Sequence, residues 1–191
     1  MVTHAPLSPA QRQQVLDDTL DWLDKAVIGL NLCPFAKSVR VKGQVRTVVS
    51  EATTPEALHE QLLAELRHLA EVDPEVTDTT LLVHPVVLQD FLDFNDFLDE
   101  ADAALEVLEL EGTLQIASFH PQFQFAGTDI DDVSNFTNRS PYPTLHLIRE
   151  SSIDRAVAAF PEAEAIYERN IETLERLGLD GWRQLFPAKK D

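Results

Sequence analysis

The sequence predicts an α/β fold, a mostly parallel sheet of about four strands with helices packed on it and a long irregular loop between the last two strands. Three observations lead there. Amphipathic helical periods alternate with short strand-like runs along the first two thirds of the chain. Two of those runs, LLVHP and IASFHP, end in the same His-Pro step, at His84 and His120. Finally, the stretch between Phe119 and Pro143 has neither period, and compact domains seldom keep irregular loops beyond roughly 12–15 residues without a use for them.

Taken in order, Ser8, Pro9 and Gln11 have the form of an N-cap, a first-turn proline and a capping-box partner. Leu16, Leu20, Leu23, Val27 and Leu30 follow at helical spacing, so a first helix is expected to end near Gly29. From Val39 to Val49, valines and Thr47 alternate with Arg40, Lys42, Gln44 and Arg46, which predicts a strand with one basic face. Thr54 and Pro55 open a second helix carrying Leu58, Leu62, Leu66 and Leu69, and TTLLVHP is a short buried strand. Phe91, Phe94, Leu98, Ala101, Leu105 and Leu108 form the apolar stripe of a third helix that Gly112 should end, its many carboxylates facing water. Leu114–Phe119 and TLHLIR are the remaining strands, the last of them antiparallel to its predecessor if no helix intervenes. Ser151 or Ser152 is expected to cap a short helix, Pro161 to open a final one reaching Leu177 and Gly178, and GWRQLF to fold back through Trp182, Leu185 and Phe186.

The whole of 1–191 reads as one domain, large enough to bury roughly 70% of its unfolded surface. Its 33 acidic and 15 basic side chains, net −18, argue against nucleic acid or an anionic membrane as partner. An anionic small molecule would need a local exception, and Lys37, Arg40, Lys42 and Arg46 supply one. The single cysteine, the absence of a signal-like N-terminus and the lack of a bilayer-length apolar run make the cytoplasm the expected compartment.

The long loop is too aromatic for disorder: Phe119, Phe123, Phe125, Phe136 and Tyr142 can pin it, fixing the polar groups between them. His84 and His120 end strands, and His146 begins one that can reach the same rim. Three imidazoles there would hold a divalent transition metal with an open position, or serve as acid and base, while the alternative for each is a hydrogen bond within the fold. Arg139, between Asn138 and Ser140, is placed either to clamp an anionic substrate or to tie the loop to its own aspartates. Asn135, Asn138 and Ser140 are the companion substrate-binding candidates, with Asp132 supporting a ligand. Cys33, ahead of Pro34, is either a thiolate activated at a helix N-terminus or a small buried apolar residue.

The segments NLCPFAK, HPVVLQDFLDFNDFL, LQIASFHPQFQFAGTDIDDVSNFTNRSPYPTLHLIRE and AEAIYERNIETLERLG together resemble a bacterial family, also seen in plants, of domain of unknown function 1415. Its motif positions correspond to Cys33, Pro34, His84, Asp90, Asn95, His120, Pro121, Asp132, Asn135, Asn138, Arg139, Ser140, Pro141 and His146. The resemblance implies boundaries and kinship but no reaction. The expectation carried forward is a small-molecule enzyme, a metal-assisted hydrolase or an oxidoreductase, with catalytic His120, His146 and Arg139 under the loop. Its rivals are a thiol enzyme using Cys33 and a non-catalytic binding or assembly protein.

Overall fold

A computed structural model describes residues 6–159 and 165–186. Helix α1, Pro9–Trp22, starts with the expected capping box, Ser8 accepting from the Gln11 backbone while the Gln11 side chain returns to Ser8. It runs without a break into a π-helical turn, Leu23–Ile28. The extra residue in that turn rotates the buried stripe, so Val15, Thr19, Trp22, Leu23, Ala26 and Val27 face inward. Gly29 closes the turn where nothing larger fits, since a Cβ there would stand 2.2 Å from the Lys25 carbonyl oxygen.

The expected strand Val39–Val49 divides in two. Ala36–Val41 is a short helix, α2, and Gly43, at φ 71°, reverses the chain in a conformation open to glycine. Only Val45–Val49 is strand, β1. The basic face therefore does not form. Arg40 makes a two-pronged ion pair with Asp24, at 2.9 Å on both prongs, and Arg46 another with Glu65, at 2.9 and 3.1 Å.

Helix α3, Pro55–Glu71, strand β2, Thr79–Val83, helix α4, Phe91–Val107, and strand β3, Leu114–Phe119, follow the sequence pattern. Asp90 caps α4 by accepting from the Leu92 and Asp93 backbones. The helix stops at Val107, ahead of Gly112, because Glu109 already turns left-handed at φ 56°. The loop contains a 3-10 helix, Val133–Asn138, before strand β4, Thr144–Arg149. Helix α5 is Glu150–Ala159, beginning before either serine; Ser152 instead donates to Asp78 at 2.6 Å. The expected start at Pro161 lies outside the described residues. Helix α6, Ile166–Leu185, is interrupted at Gly178 (φ 65°, ψ 173°), and the tail beyond it folds back as expected, Trp182 and Phe186 packing on the core.

The sheet order is β1-β2-β4-β3. β1 and β2 are parallel, whereas β4 is antiparallel to both β2 and β3. The sheet is thus mixed, not mostly parallel, because the loop after β3 returns the chain directly and no crossover helix reverses it. One face, with Leu82, Leu145, Leu147 and Leu114, packs on α3 and α4 around Phe94. The four leucines of α3, fully buried, contribute about 1.5–3 kcal/mol each by leaving water. The other face, with Leu81 and Val83, packs on α1 and its π-helical turn.

Candidate functional site

Strand register decides which histidines can meet. His84 donates its backbone N–H to the Pro143 carbonyl (3.0 Å), and Thr144 lies opposite both Val83 and Phe119. Position 143 therefore lies level with His84 and His120, and His146, an odd number of residues on, projects from the opposite face. The three-histidine set does not assemble. Among the described residues no group of three or more His, Cys, Asp or Glu side chains is placed to hold a metal.

His84 and His120 are fully buried and both pack against Phe94, with ring centroids 5.6 and 5.1 Å from it. His84 Nδ1 meets the Val87 carbonyl at 3.0 Å, and a carbonyl only accepts, so Nδ1 carries the proton. His120 Nε2 donates to the Leu88 carbonyl at 3.3 Å while its Nδ1 accepts from the Gln122 backbone at 3.0 Å. The neutral His120 ring thus has both nitrogens engaged, leaving no lone pair for a metal or a substrate proton. Burial holds the His84 pKa at about 4 and lowers that of His120. Together the two rings fasten the 84–90 turn, in which Leu88 sits at φ 57°.

The loop candidates are occupied by the loop. Asn135, fully buried, accepts from the Phe125 backbone and the Thr128 hydroxyl and donates to the Asp129 carbonyl. Asn138 donates to the Ser118 carbonyl, Ser140 to that of Tyr142, and Asp132 caps the 3-10 helix through the Ser134 backbone. Arg139 donates to the Phe123 and Ile130 carbonyls at 3.1 and 2.6 Å and lies 4.4 Å over the Phe136 ring. It serves the loop, through carbonyls rather than the expected aspartates. Arg139 also borders a cleft of about 780 Å³ with Trp182 and Phe186, but His120 does not line it. The Tyr142 hydroxyl donates to Asp18, tying the loop to α1; burial and that carboxylate push its pKa up to about 12.

A larger cleft, about 970 Å³, lies on the sheet face toward which His146 projects. Its floor is laid by alternate residues of three strands: Thr79 and Leu81 of β2, His146 and Ile148 of β4, and Gln115, Ala117 and Phe119 of β3. The end of α1, the π-helical turn and the segment leading into α2 wall one side with Trp22, Leu23, Val27, Cys33 and Phe35, and α5 walls another with Ile153 and Ala156. π-helical insertions recur at functional sites, and this one sets Trp22, Leu23 and Val27 along the cleft.

His146 is the imidazole set into this floor, beside Thr79 and Gln115. Its Nε2 lies 2.6 Å from the Thr79 hydroxyl oxygen, which itself lies 2.7 Å from the Leu147 carbonyl. Thr79 has one proton, and giving it to the carbonyl satisfies both contacts only if His146 Nε2–H donates to Thr79. Nδ1 keeps a lone pair that has no hydrogen-bond partner among the described residues. Burial brings this ring also to a pKa of about 4, so it is neutral.

Cys33 shares the cleft but is not activated. Burial raises the thiol pKa, more than the Phe35 and Ala36 backbone N–H groups lower it, and Phe35 rather than Cys33 precedes α2. Iodoacetamide should therefore alkylate folded Cys33 slowly at pH 7 and progressively faster above pH 9. A rapid reaction near neutrality would show an activated thiolate.

A family model described as protein of unknown function (DUF1415) matches residues 14–184. The chain belongs to that family. No curated protein and no solved structure matches this DUF1415 chain. Among its described residues no helix is long and apolar enough to cross a membrane.

Of the site residues expected from sequence, His146 and Cys33 reach the DUF1415 cleft, whereas His84 and His120 lie on the opposite face of the sheet and Asn135, Asn138, Arg139 and Ser140 hold the loop together. Sequence reasoning missed Thr79, Gln115, Ala117 and Trp22 as lining residues. A signal was present in the alternation of LQIASF and TLHLIR, which puts Gln115, Ala117 and Phe119 on one face of β3 and His146 and Ile148 on one face of β4. Only the register shows that the two faces coincide.

Proposed function

We propose that the protein binds a small, largely apolar organic molecule in the cleft of His146, whose Nδ1 accepts a hydrogen bond from the ligand. The observation that carries this reading is a neutral, pre-oriented imidazole in an otherwise mainly apolar cleft of ligand-binding size. Such sites are typically roughly 300–1,000 Å³ with few polar groups to orient the ligand. The hydrolase and oxidoreductase readings lose the support they drew from three converging histidines.

N-phenyl-1-naphthylamine, a neutral fluorescent probe with one N–H, tests this directly. Saturable binding with 1:1 stoichiometry is expected. Ala117→Trp, which fills the cleft floor, should weaken it at least tenfold while far-UV circular dichroism keeps its native form. Undiminished binding by a folded Ala117→Trp protein would move the ligand elsewhere.

A thiol enzyme is the second reading, favoured by one observation: Cys33 and His146 line the same cleft. Against it stand a thiol held protonated and a histidine too weakly basic to deprotonate it.

A further inference from the structure

Register sets the surroundings of His146. Its cross-strand neighbours are Leu81 on β2 and Ala117 on β3. Neither side chain can donate or accept a hydrogen bond, and the single carbon of Ala117 leaves a recess beside the imidazole. Phe119, the next floor residue along β3, has its ring centroid 6.1 Å from that of His146 and meets Trp22 edge to face at 5.2 Å. A flat aromatic ring suits this recess, because it can lie offset on Phe119 or meet it edge to face. Gln115, on the other side of Ala117, carries an amide that donates and accepts alike and so does not discriminate between ligands. Among the charged lining residues, Asp73, Glu75 and Asp78 outnumber Lys42 and Arg155, and Arg155 is already held 3.8 Å from Asp78. That balance, in a chain of net −18, disfavours an anion.

Thr79 fixes the direction of the hydrogen bond that His146 can make. The threonine spends its one proton on the Leu147 carbonyl, so toward His146 it only accepts, and the imidazole keeps its own proton on Nε2. While that contact lasts, Nδ1 accepts and never donates. A ketone or an ether brings a second acceptor to it and gains nothing. A hydroxyl brings a proton, and a phenol brings a more acidic one than an aliphatic alcohol. With a pKa of about 10, a phenol also enters the cleft uncharged at neutral pH.

We infer that the ligand is an aromatic alcohol whose phenolic O–H donates to His146 Nδ1, and that Thr79 determines this specificity by fixing the tautomer of the ring. This rests on the cleft being the binding site.

The compounds para-butylphenol, para-butylanisole and para-butylacetophenone share a ring and a chain and differ in the group offered to His146. In competition with N-phenyl-1-naphthylamine at pH 7, the phenol should displace the probe at concentrations about tenfold lower than the ether or the ketone, the weight of one net hydrogen bond. Thr79→Val keeps the side-chain shape but removes the acceptor for Nε2–H, so the ring can carry its proton on either nitrogen. The preference for phenol over ketone should then fall to near parity, and Thr79→Ser should retain it. Long-range proton–nitrogen correlation spectra should show the Nε2-protonated ring in the parent; an Nδ1-protonated ring there overturns the inference without recourse to any variant. Equal competition by all three compounds in the parent, with displacement lost in Ala117→Trp, leaves the cleft standing and overturns the phenol. A folded Thr79→Val protein that keeps the parental preference overturns the role of Thr79. If neither the naphthylamine nor any butyl compound binds, the cleft reading falls with it.

Discussion

Lowering the pH from 7 to 5 should cost the folded state about 4 kcal/mol, because His84, buried, and His146, half-buried in the cleft floor, are held as neutral rings. Their folded pKa values are about 4, against an ordinary value of 6.5. Between those limits the unfolded chain binds more protons than the folded one, so stability is complete above pH 6.5 and is lost as the pH falls toward 4. The loss comes to about 2 kcal/mol per ring by pH 5. Relief of the self-repulsion of a chain carrying net −18 acts in the opposite sense as carboxylates begin to titrate. Urea unfolding at pH 7 and pH 5 at fixed ionic strength measures the sum. His84→Gln and His146→Gln should each remove about half of the pH dependence; equal midpoints at both pH values in the parent would show that neither ring is desolvated as described.

Phe94→Ala should destabilise the protein by about 3–5 kcal/mol at pH 7. Phe94 is fully buried and packs against the two histidines that fasten the 84–90 turn. Its removal opens space beside the His84 ring, whose buried Nε2 has no hydrogen-bond partner among the described residues. Water admitted there would hydrate that nitrogen and accept from its N–H once the ring is protonated, easing protonation. The variant should accordingly be less stable at neutral pH yet lose less on acidification than the parent. Chemical denaturation across pH checks both halves, and a parallel downward shift at every pH would mean that the two histidines stay dry without the phenyl ring.

Local patterns in the sequence were legible wherever one turn or one strand determines them. The Ser8 capping box, the leucines of α3, the apolar stripe of α4 and the short strands β2, β3 and β4 all follow from spacing and termini. The segment around Val39–Val49 was not legible in this way. Six helical residues followed by five extended ones produce the same alternation of valine and basic side chains as one long strand. What distinguishes them is Gly43 at φ 71°, together with the tertiary partners Asp24 and Glu65 that draw Arg40 and Arg46 to different neighbours.

The site was less legible because it depends on parity between strands far apart in sequence. His84, His120 and His146 all lie at or near strand ends, yet a single residue of register decides whether His146 joins the others or faces the opposite side. The loop gave the reverse difficulty: it has the polar side chains expected of a binding loop, but a chain without a ladder must satisfy its own backbone, and Asn135, Asn138, Arg139 and Ser140 are used for that. The π-helical turn was hidden because one inserted residue only shifts a helical stripe. Its trace is the change from Val15 and Thr19 to the adjacent pairs Trp22–Leu23 and Ala26–Val27.

The insertion of β4 between β2 and β3 has a consequence for how the protein is made. Once β1, α3 and β2 have left the ribosome they can assemble, but the other flank of β2 has no partner until β4 has left it too, because β3 never pairs with β2. For the whole of that interval an apolar strand, Thr79–Val83, presents open backbone groups to any neighbouring nascent chain. Translation speed between the emergence of β2 and that of β4 therefore sets how long the newborn protein depends on chaperones. Slowing elongation within that window should lower the soluble yield, whereas slowing it before β2 emerges should not.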